Sequence, residues 1–185
     1  MRNIILLIIL STLAFASCKK WEDKAGEGDD RLSRPYCNDP EASNYNLDFP
    51  GTPDNSICFY PYEAFLGTYE FNDSSYYSTD YVYGGNRMYT LTIRRQDTSK
   101  RQLLLSGFCG TDIRFTADKY LRAYADSTDH PTDSTKLPGQ LICNPIDTLS
   151  GYMNFVNRDS GILRINFTVL TDTGIVYHTG RAVKK

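Results

Sequence analysis

The sequence predicts an all-β fold, a small antiparallel barrel or sandwich, on three observations. Apolar and polar residues alternate with period two: Tyr89, Leu91 and Ile93 oppose Met88, Thr90, Thr92 and Arg94. Leu163, Ile165, Phe167 and Val169 likewise oppose Arg164, Asn166 and Thr168. Strand-favouring residues are abundant, with 14 tyrosines and 9 phenylalanines among them. Alanine- or leucine-rich helical stretches are scarce, and turn residues such as Asp97-Thr98-Ser99-Lys100 punctuate the alternating runs.

Residues 1–17 read as a secretory signal. Arg2 supplies the positive start, residues 4–10 are an unbroken apolar run, and Ala16 and Ser17 lead into Cys18. The run is too short to span a bilayer, which takes about 20 apolar residues. A thiol after two small residues resembles the bacterial lipobox, with Phe15 standing where leucine is commoner. The resemblance implies that Cys18 is acylated and becomes the mature amino terminus. At about 0.8 kcal/mol per buried methylene, several acyl chains anchor a protein firmly.

Residues 18–36 carry many charges and few apolar groups, and are expected to be a disordered tether. Lys19, Lys20, Glu22 and Asp23 after the cysteine resemble the surface-export signal of Bacteroidota lipoproteins. The expected address is therefore the outer membrane, facing the periplasm or the cell surface. The mature chain pairs 19 basic with 22 acidic residues, because only Arg2 is lost with the signal. Near-neutral charge without a basic block argues against a nucleic-acid partner. The chain is expected to be a monomer.

Residues 37–61 form a cysteine-bounded module. Cys37, Asp39-Pro40, Ala42, Asn44-Tyr45-Asn46, Asp54-Asn55 and Cys58-Phe59-Tyr60 resemble a short C-x-D-P-x-A-x-N-Y-N…C-x-Y segment of exported Bacteroidota proteins. Ser56 stands where that segment has glycine. So small a piece has no core and needs a staple, and a Cys37–Cys58 bridge would supply about 3 kcal/mol by loop closure. Asp39, Asn44, Asn46, Asp48 and Asp54 offer hard oxygens of the kind calcium takes. The same residues also make turns through side chain to backbone hydrogen bonds. No other cofactor is suggested.

Residues 62–185 are the main domain. Strands are expected near residues 64–71, 87–95, 102–108, 112–117, 119–124, 140–143, 150–156, 161–171 and 174–184, with a hairpin turn at Gly84-Gly85. The layout F-x-G-x-Y, Y-T-L-T-I, L-L-L-S-G-F, Q-L-I-C, S-G-Y-M-N-F, L-R-I-N-F-T-V resembles lipocalin-like Bacteroidota lipoproteins. That implies a meander barrel and assigns no activity. Four cysteines remain beyond Cys18 and permit three pairings; Cys109 with Cys143 follows if Cys37 pairs with Cys58.

Catalytic constellations are lacking. His130, among Asp126, Asp129 and Asp133, reads as a polar loop and His178 as a strand residue. There is no HExxH or G-x-S-x-G motif. Acids are few in the strand regions, and Glu63, Glu70 and Asp80 are the candidates for a glycosidase pair. The protein is therefore expected not to be an enzyme. Asp147-Thr148-Leu149 resembles a Bacteroidota O-glycosylation acceptor, with Thr148 as the site. The functional bet falls on Tyr76, Tyr77, Tyr81 and Tyr83, rigid amphipathic side chains interleaved with small polar ones. The expected function is an anchored binding module for a glycan, a peptide or an envelope protein. A carrier of a small apolar ligand is the alternative, and an envelope hydrolase is disfavoured.

Overall fold

The structure, a computed structural model, describes residues 30–78, 81–127, 139–142, 147–157 and 160–185. The expected signal at residues 1–17, Cys18, Asp80, His130 and Cys143 lie outside the described residues.

The two strands β1 (Pro35–Tyr36) and β2 (Thr52–Pro53) pair in parallel within the cysteine module. A one-turn helix α1 (Pro61–Phe65) follows, with its proline in the first turn, where the missing N–H costs nothing. Then come β3 (Gly67–Tyr77), β4 (Val82–Arg95), β5 (Gln102–Ser106), β6 (Ile113–Ala117), β7 (Arg122–Ala125) and β8 (Gln140–Leu141). The chain closes with β9 (Thr148–Phe155), β10 (Ile162–Thr171) and β11 (Gly174–Lys184).

Eight of these strands form a closed antiparallel barrel. The order runs β3, β4, β5, β6, β7, β9, β10, β11, and β11 pairs back onto β3. Closure leaves no long sheet edge for a second chain to extend. The short β8 pairs with the first residues of β9, and β7 with its later ones, so both lie along one side of that strand. The Gln140 side chain completes the seam. It accepts from the Arg114 N–H at 2.9 Å and donates to the Arg114 carbonyl at 2.9 Å, as a strand backbone would.

The period-two pattern is the core. Tyr69, Phe71, Leu91, Leu103, Leu105, Ile113, Phe115, Met153, Leu163 and Ile165 are fully buried on the inner face. Each such side chain contributes roughly 1.5–3 kcal/mol by leaving water. Phe65 of α1 plugs one end and meets Phe155 at 5.1 Å. The Tyr69 hydroxyl donates to the Phe65 carbonyl at 3.0 Å, and burial pushes its pKa to about 12. At the other end Phe108 packs edge-on against Phe167 and His178.

Three expectations are corrected. Residues 64–66 are not strand: they end α1 and its cap, because Pro61 starts a helical turn that carries Phe65 under the barrel. Gly84-Gly85 is not the turn, because β3 and β4 are still paired up to Tyr77 and Val82; the glycines sit in β4 where the register shifts against Ser75 and Tyr76. A Cβ on Gly84 would lie 2.8 Å from Ser75 Oγ and 2.9 Å from the Tyr77 ring, and Gly85 has φ +121. The tether reading also extends too far, since Asp30–Ser33 is a 3₁₀ turn and Pro35–Tyr36 is β1.

The module is stapled as expected by Cys37–Cys58, with Cα atoms 5.0 Å apart. It sits over the α1 end of the barrel, near the β4–β5 turn. Lys100 in that turn bonds Asp39 Oδ2 at 2.5 Å, lies 3.5 Å from Glu41, and covers the Tyr60 ring at 4.8 Å. Cys109 is also a half-cystine; its expected partner, Cys143, is outside the described residues.

Candidate functional site

The barrel has two unlike ends. The module and α1 close one. The other carries the β3–β4 hairpin, and the tyrosines singled out by sequence gather there. Alternation along β3 points Asp73 inward, so Tyr76 points outward. The register places Tyr177 of β11, Tyr76 of β3 and Tyr83 of β4 side by side in one cross-strand row. Tyr76 and Tyr83 meet at 5.6 Å between ring centroids, and Tyr81 stacks on Tyr177 at 5.8 Å and 11°. Tyr81, with φ +50 at the turn, is 71% exposed. Tyr77 belongs to the inner rim instead, against Gly84. Three of the four predicted tyrosines thus form one outer patch, and Tyr177 joins it.

Beneath this end lies Asp73, 1% exposed, with Oδ2 at 2.7 Å from His178 Nδ1. Its Oδ1 is buried and has no hydrogen-bond partner. His178 is therefore an inward strand residue held by a carboxylate.

A second surface lies on the opposite wall, four strands from β3. Arg122 and Tyr124 of β7 point outward beside Asn154 and Tyr152 of β9. Two clefts, of about 500 Å³ and about 360 Å³, share Arg122 and Asn154. Tyr120, 73% exposed in the β6–β7 turn, lines the larger cleft with Lys119. The Tyr124 hydroxyl beside Arg122 holds the guanidinium proton more tightly and raises its pKa. Sequence reading passed over these residues. Their signal was the spacing Arg122-x-Tyr124 and Tyr152-x-Asn154, which puts each pair on one strand face.

Of the calcium candidates, Asp39, Asn44 and Asp54 make hydrogen bonds within the module. The Asp39 carboxylate accepts from the Glu41 N–H, the Tyr60 hydroxyl and Lys100, and Lys100 above all holds its pKa down at about 2. Asn44 donates to the Ile57 carbonyl at 2.9 Å and accepts from the Phe59 N–H at 2.8 Å. Asp54 accepts from Ser56, which lowers its pKa. Asn46 and Asp48 have φ +55 and +68, the left-handed geometry these residues tolerate in turns. Among the described residues no cluster of three or more His, Cys, Asp or Glu is set to hold a metal ion.

Thr148 opens β9, is 2% exposed, and its hydroxyl is buried without a partner. The glycosylation expectation is therefore corrected: a glycan cannot be built there on the folded chain. Glu63 lies on α1, and Glu70 on β3 lies 3.5 Å from Lys185.

Fold and surface together define an eight-stranded meander barrel with a stapled cap and two aromatic outer faces. Among solved structures it is similar to a protein of unknown function from the DUF3598 family of Nostoc punctiforme. The likeness has 10% identity and TM-score 0.40, over 67% of this chain and 49% of that one. This chain therefore spans about half of that protein's length. No family model matches the sequence, and no curated protein matches it.

Proposed function

We propose that the protein is a non-catalytic binding module, anchored to a bacterial outer membrane by acylated Cys18, that meets an envelope protein with its tyrosine-rich end. The observation that carries this reading is the row Tyr177, Tyr76, Tyr83 with Tyr81 stacked on it, all outside a core that is already complete without them. Clustered rigid aromatics are the side chains that dominate partner interfaces. The described chain begins at Asp30, in the cap, at the opposite end from the tyrosines. A tether from Cys18 would therefore hold the capped end toward the lipid and leave the tyrosines facing away.

Among the described residues the barrel axis is filled by Phe65, Tyr69, Phe71, Phe115, Phe167 and Phe108. A filled axis supports surface binding over carriage of an apolar ligand, which needs roughly 300 Å³ or more of interior. The reading is tested with Tyr76, Tyr81 and Tyr83 replaced together by alanine. It expects a nearly unchanged melting temperature and the loss of a defined envelope cross-link formed by the wild type. A severe loss of stability would make the tyrosines core instead. Mass spectrometry of Cys18 tests the anchor: a free thiol on the mature protein would remove it.

A further inference from the structure

The outer face of the barrel carries a feature the proposed function does not use. Across the outer face of β7, β9, β10 and β11 the register lines up Arg122, Asn154, Arg164 and Arg181. The neighbouring row begins with Tyr124 and Tyr152, whose ring centroids are 6.3 Å apart. Beyond them it runs on through Asn166 and Thr179.

Arg164 and Arg181 are directly opposite each other on paired strands. Like charges in that position repel and weaken a sheet. Among the described residues, no ion pair forms to either of them to relieve this. In the β6–β7 turn Asp118 Oδ1 accepts the backbone N–H groups of Tyr120 and Arg122, and its charge acts on the Arg122 end of the row. A chain with a formal charge of −2 thus keeps three guanidinium groups in one cross-strand row on its outer face.

We infer that this belt binds an acidic polysaccharide, laid across the strands with its carboxylates on the arginine row and its ring faces on Tyr124 and Tyr152. Guanidinium groups take carboxylates in bidentate, charge-assisted pairs. Tyrosine rings offer flat apolar surface to the C–H faces of pyranoses and a hydroxyl at the tip. The two clefts that meet at Arg122 and Asn154 make the surface elongated, which suits a chain of sugars better than one. A lipid tail or an apolar peptide would need aliphatic rims, and here Val156 and Leu121 stand among polar and aromatic neighbours. The belt contains none of Tyr76, Tyr81 and Tyr83, so it can be tested separately from them.

The test is calorimetric titration of the full chain with alginate hexasaccharide, and with cellohexaose as the uncharged probe. Alginate oligomers are expected to bind, more weakly as salt rises, and cellohexaose is expected to bind at least about tenfold more weakly. Tyr152→Ala should weaken alginate binding by about fivefold or more, and Tyr152→Phe should retain most of it. Arg164→Gln removes a charge whose neighbour repels it, so it should leave the melting temperature unchanged or raised while weakening binding about fivefold or more. No alginate binding at millimolar concentration, equal binding of cellohexaose, or binding untouched by both Tyr152→Ala and Arg164→Gln would overturn the inference. Alginate binding that survives both substitutions would leave the reading of the tyrosine end intact.

Discussion

The cap and the barrel are built on opposite principles. The barrel buries one contiguous apolar cluster, from Phe65 and Tyr69 through Ile113 and Phe115 to Phe167 and Ala182. In the cap, the buried apolar residues among those described are Tyr36, Cys37 and Ala42. In place of a core, the cap has a disulfide, the Asn44 amide bridging Ile57 and Phe59, Asx turns at Asp39 and Asp54, and the Lys100 contact. A piece of some 25 residues cannot hide enough apolar surface to offset its ordering entropy, so covalent and polar constraints replace packing. The lesson is that the cap should loosen locally, while the barrel should fail all at once.

The largest effect is expected in the barrel. Phe115 is fully buried, with the Phe167 ring centroid 5.6 Å away. Phe115→Ala should cost about 3–5 kcal/mol of unfolding free energy, read by chemical denaturation as a single cooperative transition. A loss below about 1 kcal/mol would mean that the interior is loosely packed and that the contrast is wrong.

Next comes the staple. Replacing Cys37 and Cys58 by serine opens a loop with a sequence separation of 21 and should cost the cap about 3 kcal/mol. Hydrogen exchange should speed up across residues 35–60 while β3, β4, β10 and β11 keep their protection. If the barrel strands lose protection equally, cap and barrel are one cooperative unit.

Asn44→Ala is expected to be smaller. It strands the Phe59 N–H and the Ile57 carbonyl, at a cost of about 1–3 kcal/mol where water cannot replace the amide. Asn44→Asp should recover the Phe59 bond and not the Ile57 one, an intermediate loss that proton exchange at Phe59 would report.

The contrast also explains what was legible in the sequence. Inward alternation wrote itself plainly along β4 and β10, because half-buried strands must repeat every two residues. The paired cysteines announced the staple. The turn of α1 was hidden: Pro61 to Phe65 is too short to show helical periodicity, and Phe65 reads as one more strand residue beside Tyr69. The tyrosine patch was half visible, since Tyr76, Tyr81 and Tyr83 are close in sequence, whereas Tyr177 arrives only through the pairing of β11 with β3. The arginine belt was not visible at all. Arg122, Arg164 and Arg181 come from three separate strands, and their alignment depends on β9 pairing past β8 onto β7, which no local pattern encodes.

The smallest expected effect tests the seam between the two parts. Lys100 above all, with the Glu41 N–H and the Tyr60 hydroxyl, holds the Asp39 carboxyl at about 2, against 3.8 for an unconstrained aspartate. A carboxyl whose folded pKa is depressed stabilises the native state fully above its unfolded value. That contribution fades below pH 3.8 and is lost as the pH falls through about 2. The melting temperature of wild type should therefore exceed that of Asp39→Asn by a constant small margin at neutral and mildly acidic pH, and the two should converge near pH 2. The pair is near the surface, so salt should shrink the margin as well. A margin that persists unchanged to pH 2 would mean that Asp39 holds the cap through its neutral hydrogen bonds alone, and that the ion pair with Lys100 does not couple cap to barrel.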